Sequence, residues 1–212
     1  MKAMIFAAGR GKRLGDLGLH TPKALLEVGG KPMLQRIAEK LFAAGASQVV
    51  VNVHHQAEKI YALIASLDSG TNRFLISDER EQLLDTGGGL KKASTLLQGD
   101  EPIVLYNVDI LCDIDLNAML SQHLKTGALA TLAVSRRESS RYFLFDACGL
   151  NGWETHEPYS QKLSRPVQGE ALQKLAFSGI HVISPLIFPL IDEKEAFSIR
   201  DLYLRLAAQH QI

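Results

Sequence analysis

The chain has little cysteine, no surplus of either charge and no long apolar run. Its 212 residues include two cysteines, Cys112 and Cys148, too few for a disulfide framework and typical of a reducing compartment. Lysine plus arginine equals aspartate plus glutamate at 23 each, so no net charge attracts nucleic acid or an acidic membrane surface. No apolar stretch approaches the ~18 residues that cross a bilayer. We therefore expect a cytoplasmic protein without nucleic-acid or membrane partners, in which any anion site is assembled locally.

Familiar nucleotide-binding and hydrolase signatures are also missing. The dinucleotide fingerprint needs a third glycine where Leu14 stands and an acid at the end of the second predicted strand, an end that here begins with Asn52. A Walker-type loop needs Ser or Thr after Gly-Lys, but Arg13 and Pro32 follow the two Gly-Lys pairs. No Ser-His-Asp or Cys-His motif is apparent. These absences argue against a nicotinamide dehydrogenase and against a P-loop nucleotidase.

The apolar pattern predicts strands that alternate with helices through about residue 135. The stretch "KAMIFAA" (residues 2–8) is typical of a buried strand, and apolar residues at helical spacing follow from Met33 to Phe42. Three further strand–helix units repeat this order before residue 135. In the second of them, the helix is predicted to follow the glycine run at residues 87–89, with Asp85 and Thr86 as its caps. The alternation predicts an α/β fold: a Rossmann-like, mostly parallel sheet flanked by helices.

The pattern changes after Arg136. The stretch "RYFLFDACGLNGWE" (141–154) predicts two short strands around a turn at residues 149–152, and the polar residues 155–173 predict a loop. A strand over 174–184 and two helical stretches complete the chain. We interpret 1–212 as a single domain, in which residues 136–212 form a small antiparallel addition to residues 1–135.

A glycine-rich cationic segment, residues 9–23, follows the first predicted strand. Gly9 and Gly11 allow backbone N–H groups to face a common space. The planar guanidinium of Arg13 and the ammonium of Lys23 can each bind phosphate oxygens. The alternative is an ordinary solvated turn. Ligands of parallel sheets bind at the carboxyl ends of the strands, so we expect this segment to share one site with residues 78–89, 107–113 and the region after Ile183.

Several motifs together resemble the sugar-1-phosphate nucleotidyltransferases, most closely the short bacterial type. The similarity covers nearly the whole chain. It rests on Gly-x-Gly-x-Arg, then Pro-Lys, then Gly-Lys-Pro in "AAGRGKRL…TPKALLEVGGKPML", and on "LLDTGGGLKKA", "LYNVDIL" and "FSGIHVISP". The resemblance implies an enzyme that converts an NTP and a sugar 1-phosphate into an NDP-sugar and pyrophosphate, with Mg²⁺ as cofactor. It also implies that residues 1–135 form the nucleotide-binding part and 136–212 the sugar-side part.

The resemblance also implies roles for individual residues. Arg13 and Lys23 would be catalytic, and Asp109 would bind Mg²⁺. The sugar side would be lined by Asn107 and Gly179. The nucleotide would be bound by the following residues: Ala8, Gly9, Gly11, Arg13, Gln82, Gly87 and Gly88.

Three departures from the family pattern leave alternatives open. Asp16-Leu17-Gly18 stands where many relatives have Pro-Leu-Thr, and no clear Glu-Lys-Pro segment is present on the sugar side. Relatives usually continue into a tail whose aspartate is a second metal ligand. Either that tail lies outside this sequence, which stops at Ile212, or the metal is held otherwise.

The donor base and the activity therefore have alternatives. The side-chain amide of Gln82 can both donate to and accept from a pyrimidine edge, which favours UTP, although an exposed loop glutamine is an equal interpretation. One alternative is cytidylyl transfer to phosphocholine or a similar phosphate ester. Another, kept open by the missing second carboxylate, is a nucleotide-binding regulatory subunit without turnover. The sequence does not define the oligomeric state.

Overall fold

The computed structural model describes residues 1–9, 21–68, 70–169 and 171–212. The strands within these ranges are β1 Lys2–Phe6, β2 Glu27–Val28, β3 Lys31–Pro32, β4 Gln48–Val53, β5 Phe74–Asp78, β6 Ile103–Asn107, β7 Ala130–Ser135, β8 Arg141–Asp146, β9 Gly149–His156, β10 Tyr159–Leu163 and β11 Gln173–Ile183. The α-helices are α1 Met33–Ala43, α2 Ala57–Leu67, α3 Asp85–Ala93, α4 Leu116–Thr126 and α5 Ile199–Leu206. Short 3-10 helices cover Lys23–Leu25 and Pro185–Leu190.

The main sheet combines a parallel part with an antiparallel part. Its order among the described strands is β10-β9-β8-β11-β6-β1-β4-β5, with β7 paired to β11, while β2 and β3 form a separate hairpin. Strand β1 pairs in parallel with β4 and β6, and β5 pairs in parallel with β4. Strand β11 is antiparallel to β6, β7 and β8. The predicted fold class, a mostly parallel sheet flanked by helices with an antiparallel addition, is confirmed.

Alternation along β1 explains why helices cover both faces of the sheet. Successive side chains of a strand point to opposite faces. Ala3 and Ile5 belong to the apolar cluster under α1 and α2, whereas Met4 and Phe6 belong to the cluster under α3 and α5. A strand buried on both faces is apolar throughout, which is the pattern that predicted it.

The antiparallel addition differs from its prediction in two places. The first turn lies at Ala147 and Cys148, before Gly149, so Gly149 and Gly152 both belong to β9. Part of the predicted polar loop forms a third strand, β10, whose five residues are all exposed. Because an exposed edge strand has no apolar face, its sequence carries no alternating pattern.

The structure corrects two predictions, one about where a helix begins and one about which edge of the sheet a segment lies at. Helix α3 begins at Asp85, so the glycine run lies inside it and does not precede it. Strand β11 runs antiparallel to β6, with Ile183 opposite Ile103, so the residues directly after Ile183 lie at the amino end of β6. The region after Ile183 is therefore at the opposite edge from the carboxyl ends of the parallel strands.

Within the described ranges, none of the helices combines the length and the apolar character that a bilayer crossing requires.

Candidate active site

A cavity of about 430 Å³ lies at the carboxyl edge of the parallel strands. The register explains its position, because Phe6 at the end of β1 is paired with Asn52 on one side and with Asn107 on the other. The strand ends therefore finish in one row across the sheet. Three of the four segments expected to share one site contribute to the lining. They contribute through Gly9 and Lys23, through Leu83, Asp85 and Thr86, and through residues 107–109.

Lys23 and Asp109 form an ion pair in the lining of this cavity. The Nζ atom of Lys23 lies 2.5 Å from Oδ2 of Asp109, although 86 residues separate them in the chain. Lys23 opens the short 3-10 helix directly after Pro22, and Asp109 stands in the turn after β6, which is tied to β1 by a hydrogen bond from Val108 N to Phe6 O. The Asp109 side chain is 46% exposed, so it remains accessible to a ligand. A cation and a carboxylate are thus held together at the edge of an accessible cavity.

The two residues predicted for the sugar side lie next to each other. Gly179 sits within β11 at a φ of +76°, where a side chain would be strained. A Cβ built there would lie 2.7 Å from Cγ1 of Ile110 and 3.0 Å from Nδ2 of Asn107. Asn107 lines the cavity. The absence of a side chain at position 179 therefore allows β11 to pack closely against the end of β6.

The start of α3 forms the opposite wall. Asp85 adopts a φ of +58°, a left-handed conformation that aspartate tolerates better than most residues, and its Oδ1 accepts a hydrogen bond from Thr86 N at 2.6 Å. Leu83, Asp85 and Thr86 line the cavity, whereas Gln82 is exposed and outside its lining. The sequence alone predicts Asp85 and Thr86 only as helix caps, so their position in the cavity is a finding of the structure.

Gly87 and Gly88 are buried against another segment of the chain. Their N–H groups donate to Phe197 O at 2.9 and 3.3 Å. A Cβ at Gly87 would lie 2.2 Å from the Phe197 ring, and one at Gly88 would lie 3.0 Å from Cβ of Leu84. The glycines thus have a packing reason within the fold, and their predicted contact with the nucleotide stays a prediction.

Two buried polar residues, Asn52 and Glu79, also belong to the cavity lining. The side chain of Asn52 accepts hydrogen bonds from Ala7 N at 2.7 Å and Ala8 N at 3.3 Å, and donates to Oε1 of Glu79 at 2.7 Å. Oε2 of Glu79 accepts from Leu84 N at 3.3 Å. Burial raises the pKa of the Glu79 carboxyl, while the bonds from Asn52 and Leu84 act in the opposite direction. Sequence reasoning missed this pair; the available signal was a polar residue ending an otherwise apolar strand.

Some predicted residues lie outside the described part of the chain. Gly11 and Arg13 fall in residues 10–20. Ala8, which is buried, and Gly9, which is exposed, are described, and both line the cavity. Of the predicted set, the structure therefore brings together Ala8, Gly9, Lys23, Asn107 and Asp109, with Gly179 directly behind Asn107.

Comparison with known proteins identifies the family. The profile of the family described as "Nucleotidyl transferase" matches residues 2–144, which include every described residue of the cavity lining. The chain belongs to this family, and the resemblance drawn from its motifs is confirmed.

Individual relatives are similar over most or all of the chain. N-acetylmuramate alpha-1-phosphate uridylyltransferase of Caulobacter vibrioides is 32% identical over 218 residues, covering 99% of this chain and 86% of the relative. A mannose-1-phosphate guanyltransferase of Yarrowia lipolytica is 28% identical over 216 residues, covering 100% of this chain. The chain spans 57% of the length of that fungal relative.

Solved structures share the fold. UDP-glucose pyrophosphorylase in complex with UDP-glucose superposes with a TM-score of 0.73 at 20% sequence identity, covering 100% of this chain and 89% of that structure. At this identity the likeness concerns the fold alone.

Proposed function

We propose that this protein transfers a nucleotidyl group from an NTP to a sugar 1-phosphate, giving an NDP-sugar and pyrophosphate. The observation that carries the proposal is the meeting of Lys23 and Asp109 beside Gly9, in one cavity of a chain that belongs to the nucleotidyl transferase family. The activity printed for the Caulobacter relative is a transfer of this class, and that relative is matched over 86% of its length.

The chemistry requires charge neutralisation more than acid or base catalysis. A sugar phosphate is largely dianionic at neutral pH, because its second pKa is about 6, and it attacks the α-phosphorus without a general base. Phosphoryl and nucleotidyl transfers depend on positioning and on stabilising the charge of the phosphate oxygens. The ammonium of Lys23 supplies one fixed positive charge at the cavity edge. Arg13 is proposed as a second, from its position in the Gly-x-Gly-x-Arg motif.

The donor atoms of the cavity fit a magnesium ion held together with the substrate. No group of three or more His, Cys, Asp or Glu side chains suited to a metal occurs in the described ranges, so a site made of protein ligands alone is not present there. Mg²⁺ commonly uses one or two carboxylates and completes its octahedron with phosphate oxygens and water. Asp109, half exposed in the cavity, would hold it. When bound, the ion would neutralise charge on the phosphates.

The pairing of Lys23 with Asp109 is consistent with this assignment. Each side chain neutralises the other at 2.5 Å. If Asp109 held a cation instead, the Lys23 ammonium would be available to a phosphate oxygen. The two side chains would then act as separate binding groups in the substrate complex.

The acceptor and the base are proposed on opposite sides of the cavity. Asn107, packed against Gly179, is assigned to the sugar side, where the strands of the antiparallel addition begin. Gln82, Gly87 and Gly88 are assigned to the base side, next to Asp85 and Thr86. A uridylyl donor is proposed from Gln82 and from the name of the Caulobacter relative.

One assay tests the function. The protein is incubated with Mg²⁺, each of UTP, CTP, GTP and ATP, and a panel of sugar 1-phosphates with phosphocholine added, and pyrophosphate release is measured. We expect release with one NTP and one sugar phosphate, UTP being the expected donor. Release with CTP and phosphocholine would support a cytidylyltransferase instead. Tight NTP binding without any release would indicate a regulatory nucleotide-binding protein.

A further inference from the structure

The buried pair Asn52 and Glu79 joins the two walls of the cavity. Asn52 is 2% exposed and Glu79 is 0% exposed, so neither side chain serves to solubilise the surface. Through Asn52 the pair accepts from the N–H groups of Ala7 and Ala8, where the chain leaves β1 toward Gly9. Through Glu79 it accepts from Leu84 N, directly before Asp85 and Thr86. The pair therefore forms hydrogen bonds with the backbone of both walls.

The space that the two side chains occupy is left free by a glycine in α3. A Cβ at Gly89 would lie 2.7 Å from Oε1 of Glu79 and 2.9 Å from Nδ2 of Asn52. Position 89 thus admits only glycine while both side chains hold their places. Glu79 is also fixed through its backbone, because its N–H donates to Val53 O and its carbonyl accepts from Gln82 N. Both side chains are therefore held on a rigid base at the strand ends.

Connecting the two walls through a buried carboxylate costs desolvation free energy. Burial disfavours the ionised form, and an apolar pair would fill the same volume without that cost. An amide and a carboxyl nevertheless provide what two apolar side chains cannot, namely acceptors for the N–H groups of Ala7, Ala8 and Leu84 with a donor between them. The chemistry of the pair thus matches the backbone groups that line the cavity.

We propose that Asn52 and Glu79 are positioning residues that hold the backbone at Ala7–Ala8 and at Leu84 in the arrangement that binds the triphosphate. This inference rests on the proposed function. Both residues belong to the cavity lining, but the role proposed for them is not a contact with substrate: each acts through the backbone of a wall. Binding groups that are held in place in the free protein lose less freedom when a ligand binds, so a link that fixes both walls has a direct consequence for binding.

The hydrogen-bond pattern allows a specific test by exchange of the two functional groups. In Glu79→Gln, the new amide presents an N–H either to Asn52 Nδ2 or to Leu84 N, so one of the two bonds is lost. In Asn52→Asp, a second carboxylate faces Glu79 at hydrogen-bond distance. In the double variant N52D/E79Q, the carboxylate at position 52 accepts from Ala7 N and Ala8 N. The amide at position 79 donates to that carboxylate, and its oxygen accepts from Leu84 N. The double variant therefore restores every bond that each single variant breaks.

The experiment measures binding of UTP, CTP, GTP and ATP with Mg²⁺ by calorimetry, together with Tm and amide hydrogen exchange at Ala7, Ala8 and Leu84. Asn151→Asp is the matched control, because Asn151 is a fully buried amide that donates to the carboxylate of Asp146 at 3.0 Å outside the cavity lining. We expect each single variant to bind the nucleotide on the order of 10- to 100-fold more weakly, with faster exchange at these amides. The double variant should recover to within about threefold of the wild type, and the control should lose Tm without losing affinity.

Two results would overturn the inference. Single variants that lose Tm but bind nucleotide as tightly as the wild type would show a purely structural role, and a double variant as weak as the singles would show that the bonds are not what matters. A wild-type chain that binds none of the four NTPs would refute the proposed function, and this inference with it. The wild-type measurement thus separates the two failures.

Discussion

Lys23 and Asp109 show how a site can be identified at the scale of single residues. Both were predicted from motifs that lie 86 residues apart, and the structure brings their charged atoms to 2.5 Å. The prediction of proximity succeeded because each residue follows a strand of one parallel sheet, and such strands end at a common edge. Asn52 and Glu79 escaped prediction. The only signal was the position of Asn52 near the end of an apolar strand, and a lone glutamate carries no spacing that distinguishes a buried role from an exposed one.

Replacing Asp109 by asparagine tests its assigned role. The substitution keeps the size of the side chain but removes the charge that is proposed to hold the cation, so we expect pyrophosphate release to fall on the order of 100-fold or more. The Mg²⁺ concentration for half-maximal release should rise as well. Initial rates across a Mg²⁺ titration provide the measurement.

Asp113→Asn is the matched control for Asp109. Asp113 is an exposed aspartate four residues further along the same connection and lies outside the cavity lining. Its variant should release pyrophosphate at the wild-type rate. Near-native turnover in Asp109→Asn, with unchanged Mg²⁺ dependence, would remove Asp109 from the site.

At the scale of elements, helix α3 depends on the segment before α5. Gly87 N and Gly88 N donate to Phe197 O, and Thr86 Oγ1 accepts from Ile199 N at 3.0 Å at the start of α5. The two helix starts therefore support each other across 113 residues of sequence. This arrangement places Asp85 and Thr86 at the cavity, although the contacts themselves lie behind it.

Alanine substitutions at the glycines of α3 should destabilise the protein more where less space is available for the added Cβ. Alanine favours a helix over glycine by about 1 kcal/mol, but a Cβ at Gly87 meets the Phe197 ring at 2.2 Å. Overpacking of a core typically costs about 1–3 kcal/mol, so we expect Gly87→Ala to lower the free energy of unfolding by up to about 2 kcal/mol. Urea denaturation measures this.

Gly88→Ala is the internal comparison. The nearest atom to its Cβ is Cβ of Leu84 at 3.0 Å, a milder conflict than that at Gly87. Gly88→Ala should therefore be less destabilising, and Gly87→Ala combined with Phe197→Ala should cost less than the sum of the two changes. An equal loss in both single variants would contradict the packing argument.

The sequence predicted regular elements well where one face or two faces are apolar. The helix from Met33 and the strand Gln48–Val53 are examples, because their side chains follow the periods of helix and strand. Strand β10 was missed because all its side chains are exposed, and the start of α3 was misplaced because three glycines are poor helix formers. In both cases tertiary pairing decides the local structure, and sequence patterns do not contain it.

At the scale of the whole molecule, His181 links stability to pH. It is 1% exposed within β11; its Nδ1 lies 2.7 Å from Tyr203 Oη, and its Nε2 has no hydrogen-bond partner among the described residues. Burial lowers the pKa of His181 to about 3. Below the ordinary histidine pKa of about 6.5 the unfolded chain binds a proton that the folded chain excludes, so stability falls as the pH decreases.

The expected change is measurable. From this residue alone the free energy of unfolding should be about 1.4 kcal/mol lower at pH 5.5 than at pH 7.5. In His181→Gln the same comparison should show a smaller difference, while His123, whose pKa is also lowered by burial, contributes equally to both chains. Urea denaturation at the two pH values provides the data. The same pH dependence in both proteins would mean that His181 is protonated within the fold.

Strand β11 belongs to both halves of the molecule. Its first residues, Gln173–Leu175, pair with β8, and its last residues, Ile180–Ile183, pair with β6. Between them the register against β7 shifts, at the point where Gly179 touches Asn107. The outer strands β8–β10 thus cannot tilt toward an incoming acceptor as an independent flap. Any such tilt bends the backbone at residues 177–180, so it first displaces the contact between Gly179 and Asn107, where the acceptor is proposed to bind.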